Sequence, residues 1–246
     1  DGERDAASRL LGVVGGHHLE HVATGLHRDA VQVPVRIQGE AGINIPPADY
    51  LPGLRALCDQ NGWLLILDEI QSGNARTGKF FAWQHSGAAP DILTTAKGLG
   101  NGFPIGACLA RGQAADYFSA GSHGSTYGGN PLACRVAHRV VEIIQEQSLG
   151  ARAAELGSSI LAEFRTRLAA APMVKEVRGI GLMLAIEMTC DCAELVGLAA
   201  AQGLLINVTA GNRIRLLPPL TFSDAEAEQM VATLSSIILG WNGKTA

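Results

Sequence analysis

The sequence is poor in charged residues and lacks any long apolar segment. Charged residues make up only 17% of the 246 residues, and the formal net charge is -4. Proteins that bind nucleic acids usually carry a basic excess on one face, so this balance argues against that class. No run reaches the roughly 18 apolar residues of a membrane helix, and we expect no membrane partner. Because 47% of the residues are hydrophobic, the chain can bury a core, which excludes a disordered protein.

Cysteine is scarce, and no metal-binding pattern is complete. The five cysteines are an odd number in apolar surroundings, so we expect reduced, buried thiols, which fits a cytoplasmic location. Cys190 and Cys192 form a C-x-C pair, but no second cluster completes a zinc site. His17 and His21 would share one face of a helix, yet a third ligand is not evident, and we predict no metal site. The N-terminal residues, D-G-E-R-D-A-A, have no signal-peptide character.

Two common nucleotide-binding motifs are absent as well. An acid that follows an apolar strand serves magnesium in many ATPases, but that function requires a G-x-x-x-x-G-K-[ST] loop, which the chain lacks. Gly98 and Gly100 do not belong to a G-x-G-x-x-G motif, so a dinucleotide-binding fold is not supported. The sequence also has no internal repeats and no low-complexity segments.

Two short apolar runs each end beside ionisable residues that could act in catalysis. The run W-L-L-I-L at residues 63–67 predicts a strand buried on both faces, and it ends at Asp68 and Glu69. The run I-L-T-T at residues 92–95 ends just before Lys97 and a glycine-rich turn. Ligands of open α/β sheets bind outside the carboxyl ends of the strands. We therefore expect a buried acid and a buried lysine, each at the end of a core strand.

These residues favour one cofactor. Burial disfavours the ammonium form of a lysine, which makes Lys97 a candidate for Schiff-base chemistry. A buried Asp68 needs a cationic partner, and the protonated pyridine nitrogen of pyridoxal phosphate satisfies that need. The segment G-S-H-G-S-T-Y-G-G at residues 121–129 offers the hydroxyls of Ser125 and Thr126 and open backbone N–H groups to a phosphate. By position alone Lys97 would be an ordinary surface lysine, but the order of the three segments argues for a cofactor site.

The first half of the chain is typical of an α/β protein. A strand, a helix and a strand in succession predict a βαβ unit and a parallel sheet, with Pro34 restricting the first strand to an edge or irregular strand. Asp49 is the expected N-cap of the helix, and Gly62 is expected to end it. The predicted elements are strands at residues 30–37, 63–67, 92–95 and 104–110 and helices at residues 49–60 and 131–146.

The second half predicts a smaller α/β or α+β domain, because helices alternate with strands there. We place the large domain at residues 1–135 and the small domain at residues 136–246. The predicted elements are helices at residues 149–170, 192–202 and 223–239 and strands at residues 181–188, 203–209 and 213–217.

Three long segments carry a family resemblance. L-D-E-I-Q-S-G-N-A-R-T-G-K, D-I-L-T-T-A-K-G-L-G-N-G-F-P-I-G-A and G-S-H-G-S-T-Y-G-G-N-P-L-A-C closely resemble the class III pyridoxal-phosphate-dependent aminotransferases. Within that family they are most similar to the members that act on N-acetylornithine. The resemblance implies an α/β fold of type I, with a partial large domain containing a mostly parallel sheet and a smaller C-terminal α/β domain. It is dense at residues 38–137 and thinner as far as residue 234.

The resemblance implies a role for each matching residue. Lys97 would carry pyridoxal 5'-phosphate and later move a proton between the substrate and the cofactor. Asp68 would hold the pyridine nitrogen protonated, and Gln71 would lie beside the phenolic oxygen. Thr126 would bind the phosphate in the neighbouring subunit's site, with Ser125 near the substrate. A homodimer with shared active sites follows from that arrangement.

Two further residues match a substrate gate in the family. Arg215, in R-I-R-L-L-P-P-L, matches a carboxylate-binding arginine, because the guanidinium fork binds a carboxylate at two points. Glu40, in Q-G-E-A-G, matches the acid that pairs with this arginine when no dicarboxylate is bound. Two alternatives stay open: Glu40 could be a surface turn residue, and Arg215 could face solvent from a strand.

The implied reaction moves the δ-amino group of N-acetylornithine to 2-oxoglutarate, a step of arginine biosynthesis. Alternatives are another ω-amino donor (succinylornithine, ornithine or 4-aminobutyrate) or an inactive remnant. No S-G-T-E-A-like phosphate turn is present, so the chain resembles only the C-terminal part of the family, as a fragment, a truncated product or one piece of a split protein. Without that turn, cofactor affinity is expected to fall, because a phosphate would lose charge-assisted hydrogen bonds.

Overall fold

The computed structural model describes residues 9–13, 30–34 and 42–241, and these divide into two compact units. The first unit contains the described residues 9–13, 30–34, 46–74 and 81–147, and the second contains residues 42–45, 75–80 and 148–241. In the C-terminal half the border of the units falls between Gln147 and Ser148. The predicted division into domains at residues 135 and 136 stays a prediction.

The first unit contains a five-stranded mixed sheet in the order β1-β5-β4-β3-β2. Its strands are β1 Arg9–Val13, β2 Ala30–Pro34, β3 Leu64–Asp68, β4 Ile92–Thr95 and β5 Ala107–Ala110. Strands β2, β3 and β4 are parallel, whereas β5 is antiparallel to both β4 and β1. The expected mostly parallel sheet is thus limited to β2–β4. Two consecutive parallel strands need a long crossover connection, usually an α-helix. Only the one-turn 3-10 helix Lys97–Leu99 is formed between β4 and β5, and this connection suits the antiparallel pairing of the two strands.

The predicted βαβ unit is present, with helix α1 (Tyr50–Asn61) between β2 and β3. Gly62 ends α1 in the left-handed conformation, with φ 67°, and donates its N–H to Cys58 O. The predicted cap at Asp49 is wrong in one respect, because its side chain makes no capping hydrogen bond. A capping side chain normally extends from a β-region residue, whereas Asp49 is already helical, with φ −84° and ψ −8°.

Helix α2 (Pro131–Glu146) agrees with the sequence prediction and begins at a capped turn. The side chain of Asn130 accepts a hydrogen bond from Ala133 N at 2.9 Å. Ala133 and Ala137 of this helix pack in one apolar cluster with Leu99 and Ile105. Helix α2 therefore anchors the segment that follows Lys97.

The second unit is an antiparallel sheet covered on one face by helices. Leu184, Ile186 and Met188 lie in its main core, whereas Met183 and Ala185 lie in a separate cluster with Ile43. The sequence predicted every helix and strand of this unit except β6, whose exposed Lys175 and Glu176 hide the strand pattern. The order is β6-β7-β9-β8, formed by β6 Val174–Ile180, β7 Met183–Met188, β8 Asn207–Thr209 and β9 Arg213–Leu216, with helices α3 Leu149–Arg167, α4 Glu194–Ala201 and α5 Asp224–Gly240.

The described part of the chain contains all five cysteines. All five cysteines are free, three of them buried and two half-buried. His17 and His21 lie outside the described residues, and the described part contains no group of three metal-ligating side chains. Of the helices that the structure describes, none has both the length and the apolar character to cross a bilayer.

Candidate active site

Asp68 and Lys97 lie at the carboxyl ends of two adjacent parallel strands of the first unit. Asp68 is the last residue of β3 and pairs in register with Thr94 of β4. Lys97 follows Thr94 by three residues and begins the one-turn 3-10 helix. The sheet therefore brings the predicted acid and the predicted lysine to the same edge, where ligands of α/β sheets bind.

The carboxylate of Asp68 is half-buried and only partly satisfied. Its Oδ1 accepts a hydrogen bond from Ile70 N at 2.9 Å. In the part of the chain that the structure describes, no lysine or arginine forms an ion pair with Asp68. A carboxylate removed from water needs donors or a cation, so Asp68 can accept a protonated group of a ligand.

Glu69, the next residue, is fully buried and occupied by internal donors. Its carboxylate accepts hydrogen bonds from Ser72 Oγ, Ala82 N and Trp83 N, each at 2.8 Å. Burial raises the pKa of Glu69, although these three hydrogen bonds oppose the rise. Glu69 thus fixes the turn after β3 and leaves Asp68 as the acid at the sheet edge.

Lys97 is exposed, so the expectation of a buried lysine is wrong. The strand β4 ends at Thr95, and Lys97 stands two residues beyond it on a turn with φ 46°. Leu99 N donates to Ala96 O at 3.0 Å, and Gly100 N donates to Lys97 O at 3.1 Å. The backbone around Lys97 is therefore anchored while its amine faces outward.

The remaining predicted residues of the first unit lie on turns and loops. Gln71 is half-buried in the turn after β3, three residues beyond Asp68. Ser125 and Thr126 lie in a loop in which every residue from 121 to 129 is exposed, just before helix α2. These hydroxyls are accessible to a ligand or to a second chain.

Arg215 belongs to the second unit, on strand β9. It pairs in register with Ala185 of β7 and Asn207 of β8, and it is half-buried. Glu40 lies outside the described residues. Two residues beyond it, Gly42 approaches β9 so closely that an added Cβ would lie 2.0 Å from Cδ of Arg213.

The backbone at residues 42–43 is fixed by Arg178, a residue that belongs to none of the sequence motifs. Arg178 Nη2 donates to Gly42 O at 2.7 Å, and its Nε donates to Ile43 O at 3.0 Å. Its Nη1 donates to Glu187 Oε2 at 2.6 Å. Arg178 lies in a segment for which the sequence predicted neither a helix nor a strand. The sequence therefore gave no reason to expect a buried ion pair at this position.

The sequence and the fold both match one family. Residues 30–238 match the family model of the class III aminotransferases. The chain belongs to the class III aminotransferases. The acetylornithine aminotransferase of Nitrosomonas europaea is 53% identical over 201 residues, and acetylornithine aminotransferase 1 of Bordetella pertussis is 50% identical over 202 residues. Each alignment covers 82% of this chain and 51% of the relative, so the chain spans about half the length of the curated relatives it matches.

Solved structures confirm the expected fold class. The ornithine aminotransferase of Toxoplasma gondii is 38% identical, with a TM-score of 0.82 over 85% of this chain and 51% of that chain. The acetylornithine aminotransferase of Elizabethkingia anophelis is 37% identical, with a TM-score of 0.82 over 86% of this chain and 57% of that chain. This aminotransferase chain therefore has the α/β fold of type I.

The family indicates pyridoxal 5'-phosphate as the cofactor, and the Toxoplasma gondii structure is described with partial occupancy of PLP at its active site. The site residues of this chain fit that group. Lys97 offers an accessible amine, and Asp68 offers a half-buried carboxylate without a cation among the described residues. The two belong to adjacent strand ends of one sheet.

Proposed function

We propose that this class III aminotransferase moves the δ-amino group of N-acetylornithine to 2-oxoglutarate, a step of arginine biosynthesis. The observation that carries the proposal is the placement of Asp68 and Lys97 at the carboxyl ends of two adjacent parallel strands. The 53% identity to an acetylornithine aminotransferase supports this amino donor.

The residues at this edge of the sheet would each have a separate role at the cofactor. Pyridoxal 5'-phosphate would supply the electron sink that stabilises a carbanion. Lys97 would bind the cofactor through its exposed amine and then carry the proton that leaves the substrate carbon. Asp68 would accept a hydrogen bond from the ring nitrogen and keep it protonated. Gln71 would donate a hydrogen bond to the phenolic oxygen.

The exposed loop at residues 121–129 would complete the site across a homodimer. Thr126 would bind the phosphate of the neighbouring subunit's cofactor, and Ser125 would lie near the substrate. The exposure of the whole loop supports this role, as does Tyr127, whose surface is 82% accessible. The five free cysteines support a reducing, cytoplasmic location.

Arg215 would bind the carboxylate of 2-oxoglutarate, and Glu40 would pair with it in the absence of that carboxylate. The described residue that supports this gate is Gly42, two positions beyond Glu40, which lies close to Arg213 of β9, the strand that also contains Arg215. Such a gate would let one site bind an amino donor and a dicarboxylate in turn.

The first test is cofactor binding by the purified chain. We expect pyridoxal 5'-phosphate to produce an absorbance band near the visible edge, and borohydride to fix the cofactor at Lys97, as measured by peptide mass spectrometry. Lys97→Ala should abolish both signals, because no other amine replaces the attachment point. Lys79→Ala, which removes another exposed lysine, is the matched control and should retain them. A well-folded wild-type chain without the band would contradict the proposal and favour an inactive remnant.

The proposed role of Arg215 is tested by the effect of its substitution on KM for 2-oxoglutarate. Arg215→Lys should raise KM for 2-oxoglutarate about tenfold or more, because a lysine cannot form the two-point contact with a carboxylate. The band of the bound cofactor should stay unchanged. Arg139→Lys, on the exposed face of α2, is the control. An unchanged KM would assign Arg215 to the surface of β9 instead.

A second candidate donor is ornithine, because the Toxoplasma gondii ornithine aminotransferase aligns with a TM-score of 0.82. Comparison of kcat/KM for N-acetylornithine, succinylornithine, ornithine and 4-aminobutyrate decides between donors. A preference for ornithine would replace the first proposal with the second.

A further inference from the structure

Asn74 is a buried residue that connects the turn after β3 with the end of β4. Its surface is only 4% exposed, and its backbone is left-handed, with φ 55°. Its Nδ2 donates to Thr95 Oγ1 at 3.0 Å and to Ala96 O at 3.1 Å. Asn74 is thus bonded to the two residues that immediately precede Lys97.

Asn74 also lies close to the residue that follows Lys97. A Cβ added to Gly98 would lie 3.3 Å from Cβ of Asn74 and 3.5 Å from its Nδ2. Asn74 therefore bonds to the two residues before Lys97 and lies close to the residue after it.

The contact with Ala96 O bears directly on the conformation of Lys97. Ala96 O accepts from Leu99 N at 3.0 Å as well as from Asn74, so it closes the one-turn helix in which Lys97 stands. Lys97 has φ 46°, a left-handed conformation that is unfavourable for a residue with a Cβ. Such a conformation persists only where the surroundings hold it.

We propose that Asn74 is a positioning residue that holds the backbone of Lys97 in its left-handed conformation and so directs the amine of Lys97 toward the cofactor. The directing role rests on the proposed function, whereas the backbone role does not. Ala96 O can only accept a hydrogen bond, so the amide nitrogen of Asn74 must face it. The other amide atom, Oδ1, is buried and has no hydrogen-bond partner in the described part of the chain.

The geometry of the Asn74 amide group suggests substitutions that test this hydrogen bond specifically. Asn74→Asp keeps the shape of the side chain but turns an oxygen toward Ala96 O, and Asn74→Leu removes the donor altogether. Asn61→Asp is the matched control, because Asn61 is exposed and its Nδ2 also donates to a backbone carbonyl, Leu57 O, at 2.8 Å.

The first measurement needs no cofactor. Amide hydrogen exchange at Leu99 and Gly100 should become roughly tenfold faster in both Asn74 variants. The reason is that Ala96 O, which closes the turn by accepting from Leu99 N, would no longer be held by Asn74 Nδ2. The Asn61→Asp control should exchange like the wild type at these amides. If Asn74→Leu does not fold, the isosteric Asn74→Asp decides alone. Unchanged exchange at both amides would overturn the proposal.

The second measurement separates orientation from reactivity. Borohydride fixation of pyridoxal 5'-phosphate at Lys97 should slow about tenfold in the variants, whereas reductive methylation of Lys97 by formaldehyde, which needs no orientation, should keep its rate. Equal slowing of both reactions would overturn the directing role. If the wild-type chain binds no cofactor, the proposed function fails, while the exchange data still decide the backbone role of Asn74.

Discussion

Two buried glutamates of this chain have opposite electrostatic environments. Glu69 accepts hydrogen bonds from neutral donors, and burial raises its pKa. Glu187 lies against Lys175, Arg178 and Arg213, at 2.7, 2.6 and 3.5 Å. The hydrogen bond from Lys175 is the largest cause that lowers the pKa of Glu187 from 4.5 to about 2, burial opposes it, and Arg178 adds to the lowering. Cations thus outweigh burial at Glu187, whereas the neutral donors at Glu69 do not outweigh it.

The low pKa of Glu187 predicts how stability depends on pH. A carboxyl group whose pKa is lower in the folded state stabilises the protein above its unfolded pKa and loses that effect as the pH falls. The contribution should be complete above about pH 4.5 and disappear toward pH 2. Glu187→Gln should lower the free energy of unfolding at pH 7 by on the order of 3 kcal/mol. It should also make the free energy of unfolding less dependent on pH between about pH 4.5 and pH 2.

Urea unfolding at a series of pH values measures this difference. Glu228→Gln, an exposed glutamate of α5, is the control and should change the free energy of unfolding by less than about 0.5 kcal/mol. Parallel curves for the wild type and Glu187→Gln between pH 2 and about 4.5 would contradict the prediction.

At the scale of elements, helix α3 packs on the turn between β6 and β7 through a pair of glycines. A Cβ added to Gly157 would lie 1.9 Å from Gly181 O and 2.4 Å from its carbonyl carbon. Both obstacles are backbone atoms, which cannot move aside as a flexible side chain does. The close approach of this helix and turn therefore depends on the absence of a side chain at Gly157.

A pair of glycine substitutions isolates this packing. Gly157→Ala should lower the free energy of unfolding by about 2 kcal/mol or more, because the overpacked contact outweighs the helix propensity of alanine. Gly197→Ala in α4 has open space around its Cβ and should raise it by about 1 kcal/mol. Thermal unfolding measures both, and a stabilised Gly157→Ala variant would refute the close packing.

Most elements were predictable because their patterns are local. The strands β3 and β4 and the helix α2 were found from apolar runs and from Pro131 at a helix start. Strand β6 was missed because its apolar residues do not alternate, so only its pairing with β7 identifies it. The direction of β5 also depends on its partners, because the four residues of this strand do not show whether its neighbours run parallel or antiparallel to it.

At the scale of the whole molecule, the proposed homodimer makes a prediction about mixed subunits. If Thr126 acts in the neighbouring site, a dimer of one Lys97→Ala and one Thr126→Ala chain contains one intact site. Random mixing of the two inactive variants should then restore about one quarter of the wild-type sites. The measurement is the cofactor band and the aminotransferase rate at limiting pyridoxal 5'-phosphate, with the variants denatured and refolded together.

The unmixed variants, refolded separately, are the controls for this experiment. If Thr126 served the cofactor of its own subunit, no mixed dimer would contain an intact site, and mixing would restore nothing. Sedimentation should independently show a species of twice the mass of the chain, and a wild-type monomer would contradict the shared site.

The sequence by itself determined the family, the fold class and the candidates Asp68 and Lys97, because each follows from residues that are neighbours in the chain. The tertiary structure decided how those residues are presented. It buried Glu69 rather than Asp68, through donors thirteen and fourteen residues away, and it left Lys97 exposed on a turn that Asn74 supports from a distant part of the chain. Contacts of this kind depend on where the backbone passes after folding, and no local pattern of apolar and polar residues records them.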